Sequence, residues 1–233
     1  YAYDKAPKIK SKNANKMMIE FITKEKSLKE YGYLDKENHL TNKGRLLTML
    51  NGYEQIPVID SITSGELFGL DSIQLAGYAA GLANMESVPK NDIPQKEEEF
   101  DLENELVSDM VYNMGSKVYE YNMDIYAPQD RILKQNKNAI KHVYKWAELN
   151  SNSDDSTKNW KTLYSGDMKK SIRDEGTLFR EIIMTTDLLK QMNEIAKAGA
   201  EISVKEKDKK YYYSLSDTIQ GALELINKPP AES

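Results

Sequence analysis

The chain has 233 residues and a formal net charge of −5, which is enough length to bury a sizeable core in one large domain or two small ones. The acidic excess argues against a nucleic-acid binder driven by overall charge, but it leaves room for a local basic strip. Because the chain has no cysteine and only two histidines, far apart in sequence, disulfides and thiolate metal sites are excluded and a histidine-rich metal site is not expected. Carboxylates could still bind a hard cation, but no residue is singled out as a metal ligand.

The first 50 residues predict a helix, a hairpin and a second helix. Apolar residues recur at helical spacing over Lys16–Tyr31. The polar turn DKENH separates two short apolar pieces and predicts one small β-hairpin near Tyr33–Leu40. Thr41 is a suitable N-cap for the following helix, whose apolar residues are Leu46, Leu47 and Leu50.

A helical pattern then extends from Pro57 to Met85. Asp71, followed three residues later by Gln74, predicts a capping box inside this stretch. Its small residues allow a neighbouring helix to approach closely, and these are Ala76, Gly77, Ala79, Ala80 and Gly81. Residues 88–101 contain prolines and an acidic run, which predict a linker.

The second half of the chain predicts further helices. Apolar spacing indicates helices over Leu102–Asn122 and about Gln129–Leu149, the second with Trp146 on its apolar side. Residues 202–217 predict a short hairpin or a solvent-exposed loop, and a last helix is predicted at about Leu215–Ile226.

These elements predict an all-α fold, a helical bundle with one long central helix and one small hairpin. We divide the chain into a lead-in with its helix (1–30), a first helical part (31–87), the linker (88–101), a second helical part (102–228) and a tail (229–233). The chain starts at Tyr1 with a polar lead-in, so we expect a fragment of a longer protein. No apolar run approaches the length of a membrane span, and we therefore expect an intracellular, cytoplasmic protein with no membrane partner.

The long helix is predicted over residues 175–199. Thr177 or Asp174 can cap its start, and Glu175 suits the positive end of the helix dipole. Gly176 permits a close approach that other residues resist, and Gly199 is a natural C-terminal stop. Trp146 and, on this helix, Phe179 are expected in the core, whereas the polar side contains Arg180, Asp187, Lys190, Gln191 and Glu194. By its pattern alone, this is an amphipathic core helix with a solvated polar face.

Several motifs follow one another in an order that is typical of one family. They are GYLD with LTNKGR, then SGELFGL with the helical run after it, then KWAEL, then EGTLFR. They lie in Tyr31–Asn84, in Ile140–Asn150 and in Tyr164–Ala200. Together these segments resemble the C-terminal helical domain, called DSHCT, of superfamily-two helicases of the exosome-associated and antiviral type.

The resemblance implies a role beside an ATP-driven motor. In such helicases two RecA-like domains use ATP and Mg²⁺, and the helical domain closes a channel over single-stranded RNA or DNA. The entry motif Glu175-Gly176-Thr177 falls on the start of the long helix that crosses this channel, so Arg180 would contact the strand, with Asp187 and Lys190 further along the same face. The implied partners are the nucleic acid, the motor domains of the same protein and RNA-processing proteins.

The chain also departs from the family pattern and contains no motor of its own. Ile183 and Met184 stand where the family commonly has a basic pair, so either the grip on nucleic acid is weaker here or the chain is a divergent branch. No G-x-x-x-x-G-K-[ST] phosphate loop occurs, so we expect no catalytic residue, no cofactor and no ATP hydrolysis in this chain alone.

Three alternatives stay open at the level of the sequence. A helical scaffold that docks proteins would use the acidic linker and the Tyr211-Tyr212-Tyr213 cluster as partner surface. A winged-helix DNA-binding regulator would explain the hairpin between helices, but it needs a basic recognition helix just before the wing. A stand-alone enzyme is the least favoured, because no G-x-S-x-G motif frames a nucleophile.

Overall fold

The fold is mainly helical, as predicted, with one small antiparallel sheet. A computed structural model describes residues 11–92, 104–126, 130–165, 172 and 174–228. Within these ranges the helices are α1 (Ser11–Glu30), α2 (Asn42–Leu47), α3 (Gln55–Ser64), α4 (Ser72–Ala83), α5 (Glu105–Tyr121), α6 (Lys137–Asn152), α7 (Ser156–Leu163), α8 (Glu175–Ile202) and α9 (Glu206–Ile226). None of the described helices is both long and apolar enough to cross a lipid bilayer.

Helix α4 lies at the centre of the bundle and packs against α5, α6, α8 and α9. Its start has the predicted capping box, in which Asp71 accepts from the backbone of Gln74 and the Gln74 side chain accepts from the backbone of Asp71. A Cβ added at Gly81 would lie 2.6 Å from the sulfur of Met114 on α5. The small residues therefore let neighbouring helices approach closely, as the sequence predicts.

The turns of the first half follow the sequence with one exception. Leu34 and Leu40 form an antiparallel bridge at the predicted hairpin, and the Thr41 hydroxyl accepts a hydrogen bond from Gly44 N (3.1 Å) as the N-cap of α2. The helical pattern predicted from Pro57 to Met85 is interrupted, because Gly65 adopts a left-handed conformation (φ 84°) that ends α3. Helix α4 begins only after a turn of seven residues.

The two-stranded sheet is a correction to the predicted elements. Strand β1 (Glu86–Pro89) pairs with β2 (Arg131–Lys134), with Ser87 opposite Leu133. The first residues of the predicted linker are thus in a strand, and residues 93–101 lie outside the described ranges. The helix predicted from Gln129 begins instead at Lys137. A short apolar run is compatible with a helix or a strand, and the distant partner strand decides between them.

The last two helices are both longer than predicted. Helix α8 continues through Gly199 to Ile202, so Gly199 is not the predicted C-terminal stop. The glycine instead allows α9 to pack closely against α8. A Cβ at Gly199 would lie 2.6 Å from the ring of Tyr212 on α9. Helix α9 begins at Glu206, so the prediction of a hairpin or a solvent-exposed loop is wrong from that residue onward, where the chain is helical.

Candidate nucleic-acid interface

The entry of α8 is built by Asp174. This residue has an extended backbone, and its carboxylate accepts a hydrogen bond from Thr177 N at 2.7 Å, so it is Asp174 and not Thr177 that caps the helix. Glu175 lies exposed in the first turn, where the helix dipole favours an acidic side chain. A Cβ at Gly176 would meet, among the described residues, only the Asp174 carboxylate at 3.2 Å. The first turn therefore presents open backbone surface to solvent.

One side of α8 is anchored in the core by a buried polar pair. Glu181 is 4% exposed and His142 on α6 is 1% exposed, and His142 Nδ1 lies 2.7 Å from Glu181 Oε2. Thr185, fully buried one turn later, donates from its hydroxyl to the Glu181 carbonyl oxygen at 2.7 Å. This pair is not among the residues predicted from the sequence. The one available signal was a glutamate at helical spacing with the buried apolar residues Leu178 and Ile182.

The other side of α8 is a continuous solvent-facing row, here called the exposed stripe. Its members follow one another at alternating spacings of three and four, and they are Arg180, Ile183, Asp187, Lys190, Glu194, Lys197 and Glu201. Lys197 pairs with Glu194 at 2.8 Å. Within the described ranges, the side chains of Arg180 and Lys190 form no ion pair and no hydrogen bond, and the two residues lie about 15 Å apart along the helix. The predicted contact residues are therefore on one face, with two cations available to a ligand.

Asp187 is on the same face but already has partners. The Tyr53 hydroxyl lies 2.9 Å from Asp187 Oδ2 and 2.9 Å from the Met184 carbonyl oxygen, and the Gln191 amide donates to Asp187 at 3.0 Å. Gln191 also accepts from Asn51 N at 2.9 Å. Partial burial and the Asp187 carboxylate raise the pKa of Tyr53, so the phenol stays protonated as a donor. These contacts fasten the loop between α2 and α3 to the middle of α8.

Apolar side chains flank Arg180 at the surface. Phe179 is 45% exposed and Ile183 is 50% exposed, so the prediction that Phe179 is a core residue is wrong. The apolar face of α8 is filled by Leu178 and Ile182, which leaves Phe179 at its edge. Trp146, by contrast, is buried as predicted and donates from its indole nitrogen to the Ile226 carbonyl oxygen at 3.0 Å.

A second polar centre lies beneath a cleft of about 670 Å³ that residues of α2, α3, α5 and α9 line. The carboxylate of Asp60 accepts from the Tyr33 hydroxyl at 2.6 Å and from the Tyr121 hydroxyl at 3.0 Å, and it pairs with Lys43. Burial and then the Asp60 charge raise the pKa of both phenols. The carboxylate is thus fully used inside the fold, and the network holds α2, α3 and α5 together.

The described residues contain one group that is compact enough to hold a metal ion, Asp35, Glu37 and His39 in the hairpin. Asp35 Oδ1 already accepts from Glu37 N at 2.9 Å and from His39 N at 2.8 Å. Those hydrogen bonds, first the one from His39, lower the pKa of Asp35. The cluster is explained by the turn that it stabilises.

The family is decided by a comparison of the whole sequence. A sequence model of the DSHCT (NUC185) domain matches residues 37–212, which is well over half of the chain. The chain belongs to the DSHCT domain family. DSHCT domains are found in helicases, and the resemblance stated above is therefore confirmed at the level of the family. No curated protein matches the sequence.

The matched range also covers the part of the DSHCT domain in which the motifs are weakest. Helix α5 and the β1–β2 sheet lie between the two motif-bearing segments, and both are inside residues 37–212. All of α8 is inside the range as well, whereas α1 precedes it. The exposed stripe therefore lies within the part of the chain that matches the family.

Proposed function

We propose that this DSHCT domain is the non-catalytic C-terminal helical domain of an ATP-dependent RNA or DNA helicase. In this role it guides the single strand along α8 and couples strand movement to motor domains of the same protein, which use ATP and Mg²⁺ and act in the cytoplasm. Family membership supports the association with helicases. It also favours this role over the scaffold and winged-helix alternatives.

The observation that carries the strand contact is the environment of Arg180. It lies in the second turn of a 28-residue helix whose other side is core, and its guanidinium has no partner in the described ranges. A guanidinium forms a charged fork that pairs with phosphate or stacks on a base. Lys190 adds a second positive charge on the same stripe, which can pair with a phosphate.

Two neighbouring features suit a strand at this position. The open first turn at Gly176 lets a backbone or base approach the helix closely. The exposed ring of Phe179 provides a face on which a base can stack, and such stacking contributes about 1–3 kcal/mol per base. Asp187 is an acceptor for base or ribose donors, while its hydrogen bonds to Tyr53 and Gln191 keep the stripe in place.

The proposal is tested by binding of fluorescein-labelled ten-nucleotide single strands, RNA and DNA in parallel, over a range of salt concentrations. Arg180→Ala and Lys190→Ala should each weaken binding, and each should reduce the slope of log affinity against log salt by about 0.7, because one phosphate contact is lost. Lys161→Ala is the matched control, since Lys161 is an exposed lysine on α7 that forms no ion pair with a described residue.

The two parts of the proposal fail separately. If Arg180→Ala and Lys190→Ala bind with the affinity and the salt slope of the unaltered chain, α8 is not the strand contact. If the reading frame upstream of Tyr1 encodes no ATP-hydrolysing motor, the helicase role is wrong even when α8 binds a strand.

A further inference from the structure

Helix α5 has an exposed face with an unusual composition, here called the acidic tyrosine face. Its members are Glu105, Asp109, Tyr112, Ser116, Tyr119, Glu120 and Met123, the last just past the helix in a π-helical turn. At 100° per residue the positions on α5 fall within an arc of about 100° around the helix axis. The face runs about 27 Å along the helix, since it covers 18 steps of about 1.5 Å.

The apolar members of this face are among the most exposed large side chains of the protein. Tyr112 is 75% exposed, Tyr119 is 68% exposed and Met123 is 59% exposed. The opposite side of α5 is well packed, with Val107, Met110, Val111, Met114, Val118 and Tyr121 in the core. The helix is therefore a firm platform, and its tyrosines stand out from it because the core positions are already filled.

The charges on this face are all of one sign. Glu105, Asp109 and Glu120 are exposed, and none of them forms an ion pair with a residue in the described ranges. The nearest lysine along the helix, Lys117, forms its ion pair with Glu66 and also lies within electrostatic reach of Glu120 at the edge of the face. Among the described residues, the face thus has three carboxylates, two phenol rings, one hydroxyl and one thioether, and none of its members is a cation.

We propose that the acidic tyrosine face binds a short basic segment of a partner protein. Arginine and lysine side chains of that segment pair with the three carboxylates and lie over the rings of Tyr112 and Tyr119, which attract cations by their electron-rich faces. Met123 takes an apolar side chain at the end of the segment, because methionine adapts its shape to irregular partners. An extended segment of about eight residues covers the 27 Å length.

Charge complementarity decides against other occupants. A nucleic-acid strand would bring its phosphates against three carboxylates without a basic residue to receive them. A second copy of the chain, paired face to face by two-fold symmetry, would set three negative charges against three more. A single helix face is also smaller than a standard interface, so a weak and reversible complex in the micromolar range is expected.

The test uses the full chain and a fluorescein-labelled nine-residue peptide that contains three arginines and two leucines. We expect saturable binding that weakens as salt is added, because exposed charges are screened over about 8 Å at physiological ionic strength. The same peptide with its arginines replaced by glutamates should not bind.

Substitutions in the acidic tyrosine face test whether the peptide binds there. Asp109→Lys with Glu120→Lys should weaken peptide binding about tenfold or more, and Tyr112→Ser with Tyr119→Ser about fivefold. The matched control is Glu194→Lys with Glu201→Lys, which makes the same change of charge at exposed positions of α8. Asp109→Asn with Glu120→Gln gives a milder second variant, and helical circular dichroism verifies that each protein is folded.

Four results would overturn the proposal. The first two are that the glutamate peptide binds as tightly as the arginine peptide, or that the α8 control variant loses as much peptide affinity as the α5 variant. The other two are that a ten-uridine RNA binds and the tyrosine variants weaken it, or that the chain is a dimer, which the tyrosine variants convert to a monomer, and binds no peptide. The proposal does not depend on the helicase role, because the α8 variants that test strand binding leave α5 unchanged.

Discussion

Helices α5 and α8 are both amphipathic, yet they differ in where they place their charges. On α8 a glutamate is buried against a histidine, and the charges of the exposed stripe alternate in sign, with two cations that have no side-chain partner among the described residues. On α5 the buried side is apolar apart from the Tyr121 hydroxyl, and the charged members of the acidic tyrosine face are all carboxylates. An amphipathic pattern therefore predicts which side is buried, while the chemistry of the other side indicates the kind of ligand.

The comparison is tested most strongly at the buried pair of α8. Glu181→Ala should lower the free energy of unfolding by about 3–5 kcal/mol, because removal of one member leaves His142 buried without its main carboxylate partner. Glu194→Ala, at an exposed position of the same helix, should change it by less than about 0.5 kcal/mol. Thermal and urea melts of both variants measure the difference. Equal stabilities would mean that the pair does not anchor α8.

The second test concerns the hydroxyl that α5 contributes to the core. The pKa values of Tyr33 and Tyr121 are raised in the folded protein, chiefly by burial and then by Asp60. A tyrosine in the unfolded chain has a pKa of about 10, so above that pH the unfolded chain loses protons that the folded chain retains. The stabilising contribution is therefore fully present below about pH 10, and the free energy of unfolding falls as the pH rises further. The expected loss is about 1.4 kcal/mol per pH unit for each tyrosine.

Urea melts between pH 7 and 11.5 measure this loss, with the values from pH 7 to 9 as the baseline. Tyr121→Phe should give a lower stability at pH 7 and a shallower decline above pH 10, because one of the phenols whose pKa is raised in the folded protein is gone. A decline as steep as that of the unaltered chain would show that Tyr121 ionises alike in the folded and unfolded states.

The smallest expected effect is at the surface of α8. Tyr53→Phe removes the donor that joins the loop after α2 to Asp187, and it should cost about 1 kcal/mol. Asp187 keeps its bond to Gln191, so strand binding should fall much less than in Arg180→Ala. A melt and the ten-nucleotide binding assay measure the two effects. If Tyr53→Phe binds the strand as poorly as Arg180→Ala, the loop between α2 and α3, and not Arg180, makes the main contribution to strand binding.

Much of the architecture follows from local signals in the sequence. The cap at Thr41 and the capping box at Asp71 are short-range hydrogen bonds between residues three apart, so their motifs are sufficient to predict them. The helical class, the order of most helices and the exposure of Arg180 follow from apolar spacing. The family could also be predicted, because its motifs occur in order along the chain.

The tertiary structure decided whatever depends on residues far apart in the chain. Ile132 and Leu133 are in a strand because Ser87 and Val88 lie beside them, and Gly199 continues its helix because Tyr212 occupies the space where a Cβ would be. Glu181 is buried because His142 meets it there. The physical reason is the same in each case: local spacing determines which side chains share a face, and only packing determines what that face meets.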